Sequence, residues 1–258
     1  MSAISIRRPN PRRPYQGVLQ ILRFNLRSYV VTSACVGAAL LAIPYLSPLC
    51  RLGLMLFAAP ALFWMASSLL VSHYIYDRFP LYDMRWISRA LCRRPRRWIN
   101  IHSGLDETSG MLQAIFPEAS GQVVDIFDSQ VMTESSIRQA RRAQDGAIPA
   151  MPARYDDLVF NAESFDAAFC IFAAHELRLH HQRVKLFKEV ARVLVRGGEL
   201  VLMEHSRDGW NLLAFGPGFL HFFSRRAWRK AAAAGGLELR NEFSMTPFVQ
   251  VYILRRTK

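Results

Sequence analysis

Two long runs without charged side chains occupy much of the first third of the chain. The first run fills the 23 positions between Arg27 and Arg51, and the second covers residues 52–76. A helix rises about 1.5 Å per residue, so about 20 residues cross the roughly 30 Å hydrocarbon core of a bilayer. We therefore predict two transmembrane helices, near residues 28–48 and 52–76, joined as a hairpin. The alternative is a pair of buried helices in a soluble core, although charge-free runs of this length exceed ordinary core helices.

The charge of the chain is concentrated around these two runs. Of 33 basic and 20 acidic residues, residues 1–97 hold 14 arginines but only two acids, whereas residues 98–258 are nearly neutral. Basic residues that crowd the ends of apolar runs, rather than spreading over a domain, indicate a membrane surface and not a nucleic acid. The loop between the runs has one arginine, so the positive-inside rule places both termini in the cytoplasm. We predict an integral protein of a bacterial-type inner membrane whose C-terminal domain is cytoplasmic.

Residues 77–97 follow the second run and mix arginines with apolar residues such as Trp86 and Ile87. This composition fits an interfacial amphipathic helix, and it fits a solvated basic linker equally well. We therefore divide the chain into a membrane anchor, residues 1–97, and a soluble domain, residues 98–258. The sequence leaves open whether the chain associates into oligomers through its transmembrane helices.

The cysteines and histidines show no metal-binding or disulfide pattern. The four cysteines, Cys35, Cys50, Cys92 and Cys170, include no CxxC pair, so neither a disulfide framework nor a structural zinc site is expected. The histidines and acids also lack metal-ligand spacing such as HExxH. We predict no bound metal and a reducing, cytosol-facing location.

The soluble domain alternates short apolar runs with amphipathic segments. Predicted strands cover residues 98–102, 123–127, 167–172 and 200–203, followed by an antiparallel pair at 237–243 and 249–254. Predicted helices cover residues 106–116, 131–142, 183–194 and 227–234, and Gly197 and Gly198 are expected to end the third of these. Strand–helix alternation of this kind predicts a doubly wound, mainly parallel α/β sheet. Such sheets bind ligands beyond the carboxyl ends of their strands.

Residues 161–205 read NAESFDAAFCIFAAHELRLHHQRVKLFKEVARVLVRGGELVLMEH. This stretch resembles the central part of class I S-adenosylmethionine-dependent methyltransferases, where a Phe-Asp strand leads through a loop to a helix that ends in a Pro-Gly-Gly turn. The most specific part is LFKEVARVLVRGGEL, residues 186–200, in which Arg196 replaces the usual proline. The resemblance covers residues 98–258. It implies a seven-stranded, Rossmann-like methyltransferase sheet and S-adenosyl-L-methionine as the cofactor.

The resemblance also implies which residues contact the cofactor. His102, Ser103 and Gly104 occupy the place of the family's glycine-rich loop, of which Gly104 is the single glycine kept. An acid at the end of the second strand accepts hydrogen bonds from the ribose hydroxyls, which a carboxylate does well because it can accept two at once. We assign this role to Asp128, with Asp125 as the alternative.

Two further segments face the same edge of the sheet in the family. The segment RYDDLVF, residues 154–160, matches the one whose acid lies near the adenine, but Arg154 stands at the position of that acid. Tyr155 and Asp156 are therefore expected to contact the adenine. Phe172 begins the loop after the next strand and is expected beside the cofactor as well.

Three residues are candidates for the chemistry of methyl transfer, which aligns acceptor and methyl group and often removes a proton from the acceptor. His175 and His205 follow successive strands at the expected site, and a histidine can act as a general base near neutral pH. Glu176 lies next to the first histidine and can orient an imidazole, as can Glu204 beside the second. The remaining histidines of the domain, His180, His181 and His221, are expected to be structural or exposed.

The combined prediction is a membrane-anchored methyltransferase acting on a hydrophobic or lipid-like acceptor. The hydroxyl of a phenol, quinol or carboxylic acid is the preferred acceptor, and an amine is the next choice. The apolar stretch NLLAFGPGFLHFF, residues 211–223, is expected to cover such an acceptor, to dip into the bilayer, or to serve as a packed connector. The predicted partners are thus the lipid bilayer and a hydrophobic small molecule.

The sequence also leaves two alternative functions to consider. A catalytically degenerate methyltransferase fold that serves as a scaffold or lipid-binding protein is supported by the eroded glycine loop. A dinucleotide-dependent oxidoreductase is disfavoured because the first loop lacks G-x-G-x-x-G.

Overall fold

A computed structural model describes residues 13–142 and 149–257 of the chain. Residues 13–96 form a helical part, and residues 97–142 and 149–257 form an α/β domain. The helices of the first part are α1 (Gln16–Phe24), α2 (Leu26–Ala42), α3 (Pro48–His73) and the short α4 (Ile87–Ala90). A 3-10 turn, Ile43–Tyr45, extends α2, and a π turn, Tyr74–Arg78, extends α3.

The two apolar helices are long enough to cross a membrane. By length and composition the candidate spans are Leu26–Tyr45 and Pro48–Arg78. Only 6% of the most apolar window of each lies buried against the rest of the described chain. Both helices therefore expose their apolar side chains, whereas the core helices of a soluble protein bury theirs. The spans lie close to the predicted ones, and the second begins four residues earlier than expected.

Two polar side chains, Ser47 and Arg51, fix the connection between α2 and α3. Ser47 precedes α3, and its hydroxyl accepts a hydrogen bond from the backbone amide of Cys50 (3.4 Å). The guanidinium of Arg51 turns back and donates to the carbonyl of Leu46 (2.9 Å). This bond satisfies a carbonyl that the end of the helical segment leaves unpaired.

The α/β domain is built on a seven-stranded sheet, which confirms the predicted doubly wound, mainly parallel architecture. Its strands are β1 (Arg97–His102), β2 (Ser120–Asp125), β3 (Met151–Pro152), β4 (Phe165–Ile171), β5 (Leu194–His205), β6 (Leu237–Thr246) and β7 (Val249–Arg256). The spatial order is β3-β2-β1-β4-β5-β7-β6, and only β7 runs antiparallel to its neighbours β5 and β6. The helices that accompany the strands are α5 (Ser109–Ile115), α6 (Ser135–Arg142), α7 (His180–Val193), α8 (Gly209–Phe215) and α9 (Arg225–Ala234).

Two hydrophobic clusters cover the two faces of the sheet. One cluster joins the sheet to α6, α7 and α9, and the other joins it to α5. The second cluster also contains Leu81, Met84 and Ile87, which are fully buried. The segment after α3 is thus neither an interfacial helix nor a solvated linker, because its apolar side chains pack on the sheet.

The boundaries of two elements differ from the prediction for local reasons. Helix α7 ends at Val193, and the glycine pair lies inside β5 instead of ending the helix. Gly197 adopts φ +72°, a left-handed conformation that glycine takes without strain. The two-residue strand β3 carries too few side chains to show an alternating pattern, so the sequence did not indicate it.

Candidate active site

The loop after β1 begins at the carboxyl edge of the sheet and is fixed by a network of polar side chains. His102 and Ser103 are buried there. Asp106 accepts hydrogen bonds from the backbone amides of Thr108 and Ser109, both 3.0 Å. The side-chain amide of Asn100 donates to the hydroxyls of the same two residues at 2.8 Å. Together these bonds hold the start of α5 against the end of β1.

Three buried polar atoms of this loop have no hydrogen-bond partner among the described residues. They are Nε2 of His102, Oδ1 of Asn100 and Oδ2 of Asp106. The backbone amide of Gly104 donates to Nδ1 of His102 (3.3 Å), so the imidazole carries its proton on Nε2. Burial lowers the pKa of His102, which keeps the ring neutral. The loop therefore offers one buried donor and two buried acceptors to a bound polar group.

The two acids after β2 occupy different places. Asp125 is the last residue of the strand, and its Oδ2 lies 2.6 Å from Nη1 of Arg141 on α6. Asp128, the predicted ribose ligand, lies beyond the strand and accepts a hydrogen bond from the amide of Gln130 (2.9 Å) within a turn. The structure thus places the alternative, Asp125, at the strand end, beside His102 in the parallel register.

Helix α6 covers the single glycine of the first loop. A Cβ atom added to Gly104 would lie 2.9 Å from Cγ of Arg141 and 3.3 Å from Cγ1 of Ile137. The guanidinium of Arg141 also lies 4.2 Å from the centre of the Phe127 ring. Arg141 therefore occupies the space between Gly104 and Asp125.

Of the two predicted adenine contacts, Tyr155 is buried and Asp156 is partly buried at the surface. Tyr155 is buried in the cluster beneath α6 and α7. Asp156 forms ion pairs with Arg154 (2.9 Å) and Lys185 (3.1 Å), both of which are exposed. Only Tyr155 therefore belongs to the interior of the domain.

His175 lies in the 3-10 turn after β4 and is held by two carboxylates. Glu204, near the end of β5, accepts from the backbone amides of Ala174 (2.9 Å) and His175 (3.2 Å). Its Oε2 lies 2.7 Å from Nδ1 of His175, and Oε1 of Glu176 lies 3.4 Å from Nε2 of the same ring. Burial alone would lower the pKa of His175, but the charges of Glu204 and Glu176 outweigh it and raise this pKa to about 10. The imidazole is therefore charged at neutral pH and is a poor general base.

His205, the last residue of β5, is uncharged at neutral pH, unlike His175. Burial, assisted by the charge of His175, lowers the pKa of His205 to about 4. Its Nδ1 donates to the backbone carbonyl of Phe248 (2.9 Å), so Nε2 is an acceptor. The hydroxyl of Tyr76 lies 2.7 Å from this Nε2 and donates to it. A neutral imidazole at the sheet edge is thus hydrogen-bonded to a tyrosine that follows α3.

Aromatic rings surround the His205 imidazole. The rings of Phe172 and Phe222 stack on it, with centroid distances of 5.0 and 4.8 Å. The rings of Tyr76 and Phe215 meet it edge-on at 6.2 and 5.7 Å. We call these five residues the aromatic cluster. The sequence indicated Phe172 and the segment containing Phe215 and Phe222, but it gave no sign of Tyr76, which lies far away along the chain.

His221, expected to be structural or exposed, lies beside the His175 turn. The centroids of the His175 and His221 rings are 5.1 Å apart. The potential metal-ligating atoms of His175, Glu176 and His221 all lie within 4.8 Å of one another. Sequence spacing could not show this grouping, because the fold brings His221 to the site from a distant segment.

Comparisons with known proteins agree with this architecture. A sequence model of a protein family, described as "Methyltransferase domain", matches residues 107–202. The uncharacterized methyltransferase YcgJ of Bacillus subtilis (strain 168) is 32% identical over 125 residues, which are 46% of this chain and 44% of that protein. The chain thus spans less than half of the length of this relative.

Solved structures that are similar to this chain have low sequence identity and TM-scores below 0.5. A methyltransferase from Methanosarcina mazei has 18% identity and a TM-score of 0.49, covering 66% of this chain and 97% of its own. The YcgJ structure has 17% identity and a TM-score of 0.46, covering 68% and 98%. Geranyl diphosphate C-methyltransferase from Streptomyces coelicolor A3(2), solved with Mg²⁺, geranyl diphosphate and S-adenosyl-L-homocysteine, has 16% identity and a TM-score of 0.48, covering 68% and 78%.

The seven-stranded sheet with its single antiparallel strand is that of the Rossmann-like methyltransferase fold, and residues 107–202 match a methyltransferase domain. The α/β part of the chain is therefore a methyltransferase domain.

Proposed function

We propose that this protein is a membrane-anchored methyltransferase that uses S-adenosyl-L-methionine to methylate a hydrophobic acceptor, preferably at a hydroxyl oxygen. The observation that carries the proposal is the bond between Tyr76 and His205. It joins the end of the second apolar helix to the carboxyl edge of the sheet. An acceptor that leaves the bilayer along α3 would therefore arrive at the site of chemistry.

The packing of α8 supports a site open to the bilayer. The hydroxyl of Ser67 on α3 donates to the carbonyl of Leu213 (3.3 Å), and Gly216 lies so close to α3 that a Cβ would meet the Trp64 ring at 2.6 Å. Trp210 and Leu213 are more than half exposed. Exposed apolar side chains beside an apolar helix are stable when lipid covers both. Helix α8 would then lie at the membrane surface, with both termini and the α/β domain on the cytoplasmic side.

The loop after β1 fits the methionine end of the cofactor. The carboxylate of a bound methionine group needs donors, and its ammonium needs acceptors. The Nε2–H of His102 can serve the carboxylate, while Oδ1 of Asn100 and Oδ2 of Asp106 can serve the ammonium. All three atoms are buried without a partner among the described residues, and such atoms are costly unless a bound group satisfies them. Ser103 and Gly104 complete this side of the site.

The end of β2 fits the ribose, provided that Arg141 moves. The Arg141 guanidinium donates to Asp125, as ribose hydroxyls would. Its side chain also covers Gly104, where the cofactor would approach the backbone. Arg141 is partly exposed and flexible, so it can release Asp125 when the cofactor binds. Asp125 replaces Asp128 as the preferred ribose ligand, and Tyr155, Asp156 and Phe172 remain the proposed neighbours of the adenosyl group.

The aromatic cluster would orient the acceptor. The bound cofactor would supply a methyl group on a sulfonium, from which a neutral thioether leaves, and the hydroxyl of the acceptor would lose its proton as its oxygen is methylated. Neutral His205 accepts a hydrogen bond on Nε2 from Tyr76, so the pair can receive that proton through the tyrosine hydroxyl. His175 is charged, and we propose that it and Glu176 act by positioning the acceptor side of the site.

Methyl transfer in vesicles tests this function. The full-length protein is reconstituted in lipid vesicles with methyl-labelled S-adenosyl-L-methionine and a quinol, either with or without a prenyl tail. We expect label in the tailed quinol at a higher rate than in the tailless one, because the bilayer concentrates it beside α3. Equal labelling of both quinols would contradict entry from the bilayer. Absence of transfer to either quinol, and to a phenol or an amine that also carries a prenyl tail, would favour the scaffold.

A degenerate scaffold or lipid-binding protein remains the second candidate, because Arg141 is paired with Asp125 and its side chain covers Gly104. Such a protein would have exchanged the cofactor for an internal ion pair. It would bind no S-adenosyl-L-homocysteine at millimolar concentrations, even after Arg141 is replaced.

A further inference from the structure

Three side chains from two segments meet beside the aromatic cluster. His175 and Glu176 lie in the turn after β4, and His221 ends the 3-10 segment Gly216–His221. We propose that these three residues form a binding site for a divalent transition-metal ion such as Zn²⁺. Their ligating atoms lie within 4.8 Å of one another. This proposal departs from the prediction of no bound metal made from the sequence, and neither the predicted methyl transfer nor the family resemblance requires the site.

The buried carboxylate of Glu176 favours binding of a cation by the three residues. Glu176 is 6% exposed, and its Oε2 is buried with no hydrogen-bond partner among the described residues. A buried carboxylate oxygen without a partner is unfavourable, and a metal ion at this point would satisfy it. The other oxygen, Oε1, lies 3.4 Å from Nε2 of His175.

The distances suit a small metal ion. Two ligand atoms of a tetrahedral site with bonds of about 2.1 Å lie about 3.4 Å apart. The separation of His175 Nε2 and Glu176 Oε1 has this value. His221 is partly exposed, with 26% of its side chain accessible, so a rotation of the ring can complete the set.

Groups outside the cluster hold the ligands in place. Glu204 binds Nδ1 of His175 at 2.7 Å and so leaves Nε2 of that ring directed at the cluster, where a metal ion would displace the proton that Nε2 carries in the metal-free protein. A carboxylate on the far nitrogen of a metal-binding histidine is the usual arrangement in metal sites, where it orients the ring. Arg178 donates from Nη1 to the backbone carbonyls of both His175 and His221. The two ligand segments are therefore tied together even without a metal.

The ligand types select the class of metal. Two imidazoles and one carboxylate suit Zn²⁺ and neighbouring first-row ions, whereas Mg²⁺ and Ca²⁺ prefer oxygen ligands. Three protein ligands leave at least one position open for a water or a substrate oxygen. His221 is followed by Phe222 of the aromatic cluster. If the proposed function holds, this open position can take the acceptor hydroxyl and lower its pKa.

Metal titration of the full-length, untagged protein in detergent tests the site. After chelator treatment and dialysis, Zn²⁺ is titrated by calorimetry, and Co²⁺ is titrated by its visible absorption. We expect one ion per chain, with intense Co²⁺ bands typical of four-coordinate geometry. Glu176→Gln and His221→Ala should each weaken binding by at least about tenfold. The matched control is His181→Ala, because His181 is exposed on α7 and should leave the affinity unchanged.

The outcomes separate the metal site from the methyltransferase function. Circular dichroism checks that each variant is folded, and Glu204→Gln provides a second, milder perturbation that should weaken binding by loosening His175. No Zn²⁺ or Co²⁺ binding by the wild-type protein, or equal affinity in the wild type and in folded His221→Ala, would overturn the proposal.

S-adenosyl-L-homocysteine is titrated separately. Failure there with intact Zn²⁺ binding would remove the proposed function and leave the metal site standing.

Discussion

The hydroxyl of Tyr76 lies 2.7 Å from Nε2 of His205, although 129 positions separate the two residues in the chain. Tyr76 belongs to the turn that continues the second apolar helix, and His205 ends strand β5. The bond therefore couples the proposed membrane anchor to the proposed site of chemistry. A soluble domain joined to its anchor by a flexible linker would not have such a contact.

Removal of the Tyr76 hydroxyl should impair turnover. Tyr76→Phe keeps the ring in the aromatic cluster but removes the donor to His205, so proton transfer from the acceptor loses its relay. We expect the rate to fall by about 10², while the affinity for S-adenosyl-L-homocysteine stays unchanged. Methyl transfer in vesicles and calorimetry measure the two quantities. Tyr74→Phe is the matched control, and a full rate in Tyr76→Phe would exclude a role for the hydroxyl.

Replacement of Arg141 should strengthen cofactor binding. Arg141→Ala frees Asp125 and uncovers Gly104, so the ribose no longer competes with a guanidinium. A charge-assisted hydrogen bond contributes about 1.5–3 kcal/mol, so an increase in affinity of about tenfold or more is expected. Arg142→Ala, one residue further along α6 and exposed, should have no effect. Weaker binding by Arg141→Ala would instead mean that Arg141 contacts the cofactor itself.

The buried state of His205 predicts a stability change in mild acid. Its pKa is about 4 in the folded protein, compared with about 6.5 when exposed, so the unfolded chain binds a proton more readily. The stabilisation is complete above about pH 6.5 and is lost as the pH falls toward 4, at a cost of about 3 kcal/mol.

Chemical unfolding in detergent at several pH values measures this loss. His205→Gln can still bond to Tyr76 and to the carbonyl of Phe248, but it does not titrate, so its stability should depend less on pH in this range. Other titrating groups, including the nearby His175, are common to both proteins and cancel in the comparison. Identical slopes for the variant and the wild type would refute the buried, neutral state of His205.

Close packing of α1 against the end of α3 predicts a strong effect of a small substitution. A Cβ added to Gly17 would lie 2.3 Å from Cβ of Tyr76, and the amide of Gly17 donates to Asp77. Gly17→Ala should therefore displace α1 and destabilise the protein by about 1–3 kcal/mol. Gly37→Ala in α2 meets no atom within 4 Å and serves as the control. Unfolding temperatures in detergent measure both, and equal values would contradict the docked position of α1.

The sequence predicted the elements whose side chains follow a regular period. The apolar runs of β1, β4 and β5 and the amphipathic α7 were recognisable because burial on a sheet or a helix face repeats at a fixed spacing. The segment with Leu81, Met84 and Ile87 was interpreted as an interfacial helix or a linker, because its apolar residues alternate with arginines. Their burial depends on the sheet face above them, which local sequence does not show.

In the candidate site too, the sequence predicted the residues that follow strands but not those that arrive from distant segments. His102, His175 and His205 were predicted to lie near the sheet edge because each follows or ends a strand, and a parallel sheet brings such positions together. Tyr76 and His221 were missed, because each reaches the site from a separate segment. The pairing of Asp125 with Arg141 was likewise invisible, because it depends on how α6 folds back over the first loop.

Calorimetric titration of the full-length protein with S-adenosyl-L-homocysteine is the most direct test of a cofactor bound at the carboxyl edge of the sheet. We expect saturable binding of one ligand per chain, a loss of about tenfold or more in affinity in Asp125→Asn, and little change in Asp128→Asn. Absence of binding at millimolar ligand, in both the wild-type protein and Arg141→Ala, would rule out a cofactor site at this edge.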